Sequence, residues 1–196
     1  NNQLDGQTVK TRNVYNLLCD RQDEPVNKID TVDFKKKPWL LIKLLYYLVK
    51  CKTVVIVPCL NNLTFIFPLA YLLSKIISFD IISICVGGWQ VEYFLGNERF
   101  KPHPLQLKYS RKIKGFLPEM ENVNRVLIQQ LSFKNTEVFP NFRRFRPVQV
   151  NTTVHNELKM VFMARINKTK GYNSIFLALD KLKNLSENVS MTFYGQ

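Results

Sequence analysis

Two short runs constrain this chain more than any other feature: "KTVVIVPCL" at 52–60 and "FDIISICVGG" at 79–88. Both are rich in β-branched residues, and neither carries a polar residue at every second position. A strand with one face in water alternates; a strand covered on both faces does not. Between them lies "NNLTFIFPLAYLLSKIIS", long enough for a helix. A buried strand, a helix and a second buried strand predict a parallel sheet with helices packed on it.

The remainder continues the alternation. "VKTRNVYNLLCDR" reads as a helix with Val9, Val14, Leu17 and Leu18 on one face. "NKIDTVDF" reads as a short strand. "KPWLLIKLLYYLVKC" reads as a helix with Pro38 in its first turn, where a missing N–H is harmless. "WQVEYFLGN" and "ENVNRVLIQQL" read as helices around the basic, proline-interrupted "RFKPHPLQLKYSRKIKGFLPE", and "NTEVFPNF" as a strand running into a turn. "RRFRPVQVNTTVHNE" is polar and without period. "LKMVFMARI", "YNSIFLALDKLKNL" and "VSMTFYG" then give strand, helix and strand. The expected architecture is α/β: a Rossmann-like parallel sheet with helices on both faces over 1–147, a linker at 148–157, and the beginning of a second Rossmann-like domain at 158–196.

Charge narrows the partners. The formal net charge is +13, which favours polyanions: anionic lipid, phosphorylated small molecules or nucleic acid. No helix-turn-helix, RRM or zinc-finger pattern appears, so nucleic acid is not favoured. "WLLIKLLYYLV" and "LTFIFPLAYLL" are each about 11 residues, short of the roughly 20 a membrane span requires. They read as core helices of the sheet. Lys36, Lys43 and Lys50 recur every seventh residue, and that stripe also suits a helix lying on an anionic membrane face. Cys19, Cys51, Cys59 and Cys85 form no CxxC pair, and His103 and His155 stand apart from them. No metal or other cofactor is expected, and the thiols read as reduced core cysteines of a cytoplasmic protein. The opening "NNQLDGQTVKTR" is not a signal peptide.

Four stretches are candidates for chemistry. "ARINKTKGYNSIF" passes from strand to helix through Arg165, Lys170 and Gly171. A helix start offers free N–H groups, glycine permits close approach, and the two cations suit a diphosphate. A solvated surface turn is the other reading. "LDGQTVKTRN" leads from a glycine loop into a helix, with Gly6 and Gln7 at its start and Lys10 one turn in. In "CVGGWQVEYF", Gly87 and Gly88 end a buried strand, and Trp89 either stacks on a sugar or base or belongs to the core. "FPNFRRFR" closes with Asn141 and an arginine cluster. G-x-S-x-G, H-E-x-x-H, the P-loop and G-x-G-x-x-G are all absent, which removes the common hydrolase, zinc protease, NTPase and dinucleotide readings.

In order, "GQTVKTRNVYNLL", "CVGGWQVEYF", "VFPNFRRF" and "LKMVFMARINKTKGYNSIF" resemble the N-terminal part of a family 4 (group 1) glycosyltransferase of the GT-B fold, of the bacterial capsular and exopolysaccharide type. The resemblance implies retaining transfer of a sugar from a UDP- or GDP-linked donor to a hydroxyl of a saccharide or lipid-linked acceptor. It implies that Arg165, Lys170 and Gly171 hold the donor diphosphate, joined by Gly6 and Gln7. Lys10, Gly87, Gly88, Trp89 and Asn141 are the candidates for the acceptor or for the cleft. The resemblance implies no metal, and a cytoplasmic enzyme that can sit peripherally at the inner membrane face. The family's paired glutamates, eight positions apart, have no counterpart here. The chain is therefore expected to be a fragment with an incomplete donor site, inactive alone. The alternative is a non-catalytic basic module for anionic membrane or nucleic acid, built on Lys35 to Lys37, residues 99–114 and Arg143 to Arg146.

Overall fold

The computed structural model describes residues 6–31, 34, 36–59, 62–96, 102–142, 147, 158–164, 170–182 and 189–195. The chain divides into two compact units, Asn1–Arg144 and Phe145–Gln196.

The first unit is a three-stranded parallel sheet with helices. Its strands are β1 (Thr53–Ile56), β2 (Asp80–Ile84) and β3 (Gly115–Leu117), in the order β1-β2-β3. Thr53 faces Asp80 and Ile56 faces Ser83; Ile82 faces Gly115 and Ile84 faces Leu117. Helix α1 (Gly6–Arg21) and helix α2 (Trp39–Lys50) precede β1. A π-helical turn (Asn62–Ile66) runs into α3 (Phe67–Leu73), which crosses from β1 to β2. Helices α4 (Trp89–Leu95) and α5 (Pro104–Ser110) lie between β2 and β3, and α6 (Glu121–Gln129) follows β3.

Local chemistry sets several ends. Pro38 stands immediately before α2, where its fixed φ suits a helix start. The helix stops where Cys51 turns extended, its N–H closing on Tyr47 O at 2.9 Å. Gly96, at φ 71°, ends α4 in the left-handed conformation that a β-carbon disfavours.

The core of this unit is aromatic and aliphatic. Phe67, Leu63, Phe116 and Leu127 are fully buried. Phe116 and Phe133 rings meet at 4.9 Å, and Tyr71 stacks on Tyr109 at 4.4 Å, joining α3 to α5. Each such buried side chain contributes about 1.5–3 kcal/mol of apolar transfer.

The second unit pairs β4 (Leu158–Met163) with β5 (Val189–Tyr194) in parallel, Leu158 facing Val189 and Met163 facing Tyr194. Helix α7 (Tyr172–Leu182) connects them. Phe162, Tyr172 and Phe193 form a small aromatic cluster with ring centroids 5.0–5.8 Å apart.

The chain is thus α/β with small parallel sheets, compatible with a Rossmann-like arrangement. Four expectations change. Residues 27–31 of the expected strand "NKIDTVDF" form no strand, because no strand among the described residues runs alongside them; Val32 and Asp33 lie outside the described residues. "NTEVFPNF" yields one bridge, Thr136 to Phe116: the Phe139 N–H reaches Pro118 O at 2.7 Å in the register of that bridge, but Pro118 has no N–H to return, so the ladder stops there. The basic segment before residue 121 contains both α5 and β3. Of the expected core thiols, Cys85 is buried and Cys19 is exposed. Among the described residues no helix is long and apolar enough to cross a membrane.

Candidate functional site

In open parallel sheets, ligands bind beyond the carboxyl ends of the strands, because there the connecting loops and helix starts converge. In the first unit that edge is formed by Val57 after β1, Cys85 to Gly88 after β2, and Pro118 and Glu119 after β3.

Glu119 organises this edge. One carboxylate oxygen accepts from Lys10 Nζ at 3.0 Å, and the other accepts from the Gly87 N–H at 2.9 Å. Lys10 comes from the second turn of α1 and is 3% exposed. Its ammonium also donates to Phe139 O at 3.1 Å and lies 5.3 Å from the Phe139 ring centroid. One buried ion pair therefore ties together α1, the glycine loop after β2, the loop after β3 and the 139–142 segment. Asn13, nearly one turn beyond Lys10, adds a second tie by donating to Phe142 O at 2.9 Å. Gln7 adds a third, donating to Val57 O at 3.3 Å. In α4, the fully buried Gln90 donates to Pro58 O at 3.4 Å, linking the ends of β1 and β2.

Around these ties the backbone stays open. An added Cβ at Gly6, Gly87 or Gly88 would meet nothing within 4 Å. Gly87 adopts φ +71°, a conformation reached at little steric cost only by glycine. Cys85 is not a nucleophile for this edge. Burial, helped by the Glu119 charge, pushes its thiol from 9.0 up to about 12. The thiol donates weakly to Gly87 O at 3.4 Å.

The sequence candidates fall into distinct places. Gly6, Gln7, Lys10, Gly87 and Gly88 come together on one edge. Lys10 is neutralised and buried rather than presented to a cleft. Trp89 is half-buried and packs against the core cluster. Asn141 is exposed, between Phe139 and Phe142, whose rings meet at 5.5 Å. In the second unit, Lys170 is exposed just before α7. Gly171 has φ +78° and open space where a Cβ would stand. Tyr172 pins this helix start to the end of β4 by donating to Ala164 O at 3.3 Å. Arg165, like Arg143, Arg144 and Arg146, lies outside the described residues.

Glu119 and Asn13 were not singled out by the sequence. A signal for Glu119 exists: it follows "GFLP", so recognising β3 would have placed it at a carboxyl strand end. Among the described residues no group of His, Cys, Asp and Glu is arranged to hold a metal ion. A polar groove of about 400 Å³ opens at the opposite, amino edge of the sheet, lined by Lys52, Lys75, Asp80, Lys112 and Lys114. Asp80 and Lys114 approach to 3.8 Å there, and no loop after a strand contributes to its lining.

No protein-family model matches the chain, and no curated protein matches it.

Proposed function

We propose that this chain belongs to a GT-B-type glycosyltransferase that moves a sugar, with retention, from a nucleotide diphosphate sugar to an acceptor hydroxyl in cell-surface polysaccharide assembly. The supporting observation is the convergence of three separated sequence motifs at the carboxyl edge of the first sheet. There the Lys10–Glu119 pair anchors the glycine loop while Gly6, Gly87 and Gly88 leave room for a ligand. Taken by itself, the second unit has an exposed Lys170 and an open Gly171 at the start of α7, an arrangement that suits a diphosphate.

In this reading Lys170, with Arg165, balances the charge that grows on the departing diphosphate. Fixed cations act most strongly where charge develops in the transition state. Lys10 serves indirectly: its charge is already matched by Glu119, so it positions the glycine loop.

The test is ligand-dependent stability. UDP or GDP raises the melting temperature of the wild-type chain, as any ligand of the folded state does. The Arg165→Ala, Lys170→Ala double variant loses that increase while melting at the wild-type temperature without nucleotide. No shift with either nucleotide, or an undiminished shift in the variant, overturns the reading.

A further inference from the structure

Helix α2 has two apolar faces, and the described residues cover one. Leu48 is buried, and Leu44 and Cys51 pack against the core cluster. On the other side, Trp39, Ile42, Tyr46 and Val49 are 57%, 72%, 54% and 60% exposed. They are spaced three, four and three apart, which places them in one row along the helix. Lys43 and Lys50 follow the flank of that row, both exposed. The Lys50 ammonium donates to the Tyr46 hydroxyl at 2.6 Å and lies 4.3 Å from the centroid of its ring.

Soluble monomers rarely leave such a row uncovered. The charge around it selects the occupant. Every charged residue between Asp33 and Asp80 is a lysine. The same interval carries most of the exposed large apolar side chains of the first unit, with Phe65, Leu72 and Ile76 besides those of α2. A second copy of this helix would set lysine row beside lysine row with no acid to meet them. An anionic lipid surface meets both halves of the pattern: apolar side chains enter the acyl boundary, Trp and Tyr sit at headgroup level, and lysines remain among the phosphates.

We propose that the outward face of α2, the Trp39–Ile42–Tyr46–Val49 row with Lys43 and Lys50 on its flank, docks the protein on anionic membrane surfaces. The helix lies in the plane of the interface and does not cross it. The proposal stands independently of the transferase reading.

Vesicle flotation of the full chain tests it, using phosphatidylcholine alone and phosphatidylcholine mixed with phosphatidylglycerol. The wild-type chain floats with the mixed vesicles, and added salt weakens the association. Ile42→Glu with Val49→Glu abolishes flotation. Lys43→Ser with Lys50→Ser weakens it about thirtyfold, from the electrostatic contribution per lysine near an anionic surface. On binding, the tryptophan emission shifts to the blue in Trp89→Phe and does not in Trp39→Phe; this readout needs no change to the apolar row beyond Trp39. Failure of the wild type to float overturns the proposal, as does undiminished flotation of the Ile42→Glu, Val49→Glu variant. A blue shift that follows Trp89 also overturns it. So does a lipid-free dimer that this double variant dissociates, which would assign the face to a second copy.

Discussion

Lys10 and Glu119 stand 109 positions apart in the sequence and 3.0 Å apart in space. Both are nearly excluded from water, with side chains 2% and 9% exposed. A pair so placed is costly to break from one side, because the remaining charge stays buried without its partner.

Glu119→Gln is therefore expected to destabilise the first unit by about 3 kcal/mol. The amide still accepts from the Gly87 N–H, so the loss reports the orphaned ammonium. Lys10→Met combined with Glu119→Gln recovers most of it. Urea denaturation of the two single variants and the double closes the cycle. A loss below about 1 kcal/mol for Glu119→Gln would mean that solvent screens the pair.

The glycines separate stability from binding. Gly6 and Gly88 have ordinary backbone angles open to any residue and nothing within 4 Å of a new Cβ. Gly6→Ala and Gly88→Ala should melt within a degree or two of wild type, roughly the effect of an unstrained exposed substitution. If nucleotide approaches the backbone there, both should lower the UDP-induced increase in melting temperature. Gly87→Ala differs: at φ +71° a Cβ costs roughly 1 kcal/mol before any ligand is added. Calorimetry with and without UDP distinguishes the two classes.

Cys85 gives the pH dependence. Its thiol titrates near 9.0 when unfolded and near 12 when folded, chiefly through burial. The folded state thus holds the proton longer. The sign follows: the stabilising difference is complete below pH 9 and is lost as pH rises from about 9 towards 12. Cys85→Ala should unfold less steeply with pH across this window than wild type, by up to one proton, in urea titrations. At neutral pH an aromatic disulfide reagent should modify the exposed Cys19 readily and Cys85 only after denaturant is added.

Most of the sheet is readable from local pattern. β1 and β2 are runs of β-branched residues with buried positions, and β4 and β5 are marked by the apolar and aromatic residues they carry. β3 escapes because Gly115, Phe116 and Leu117 are too few to establish a period, and basic residues precede them. The 27–31 segment misleads for the opposite reason: a pattern can be strand-like while, among the described residues, no strand stands beside it to form a ladder. The glycines of the candidate site announce themselves, since glycine at a strand end is a local signal. Glu119 does not. Its meaning lies in Lys10 and Gly87, whose separation in sequence leaves no trace in any window. The outward row of α2 was half legible: the spacing of Lys43 and Lys50 marks one stripe of the helix, with Lys36 lying before its start at Trp39, whereas the division of the apolar residues between core and solvent required the packed structure.

That row carries one further consequence. From Trp39 to Val49 it extends about 15 Å along the helix axis. A contact of that length behaves as a keel rather than a pivot. On the lipid surface proposed for it, such a keel would set the roll of the first unit as well as its distance, and the helix that leads into the first strand would determine the attitude of the sheet towards the bilayer.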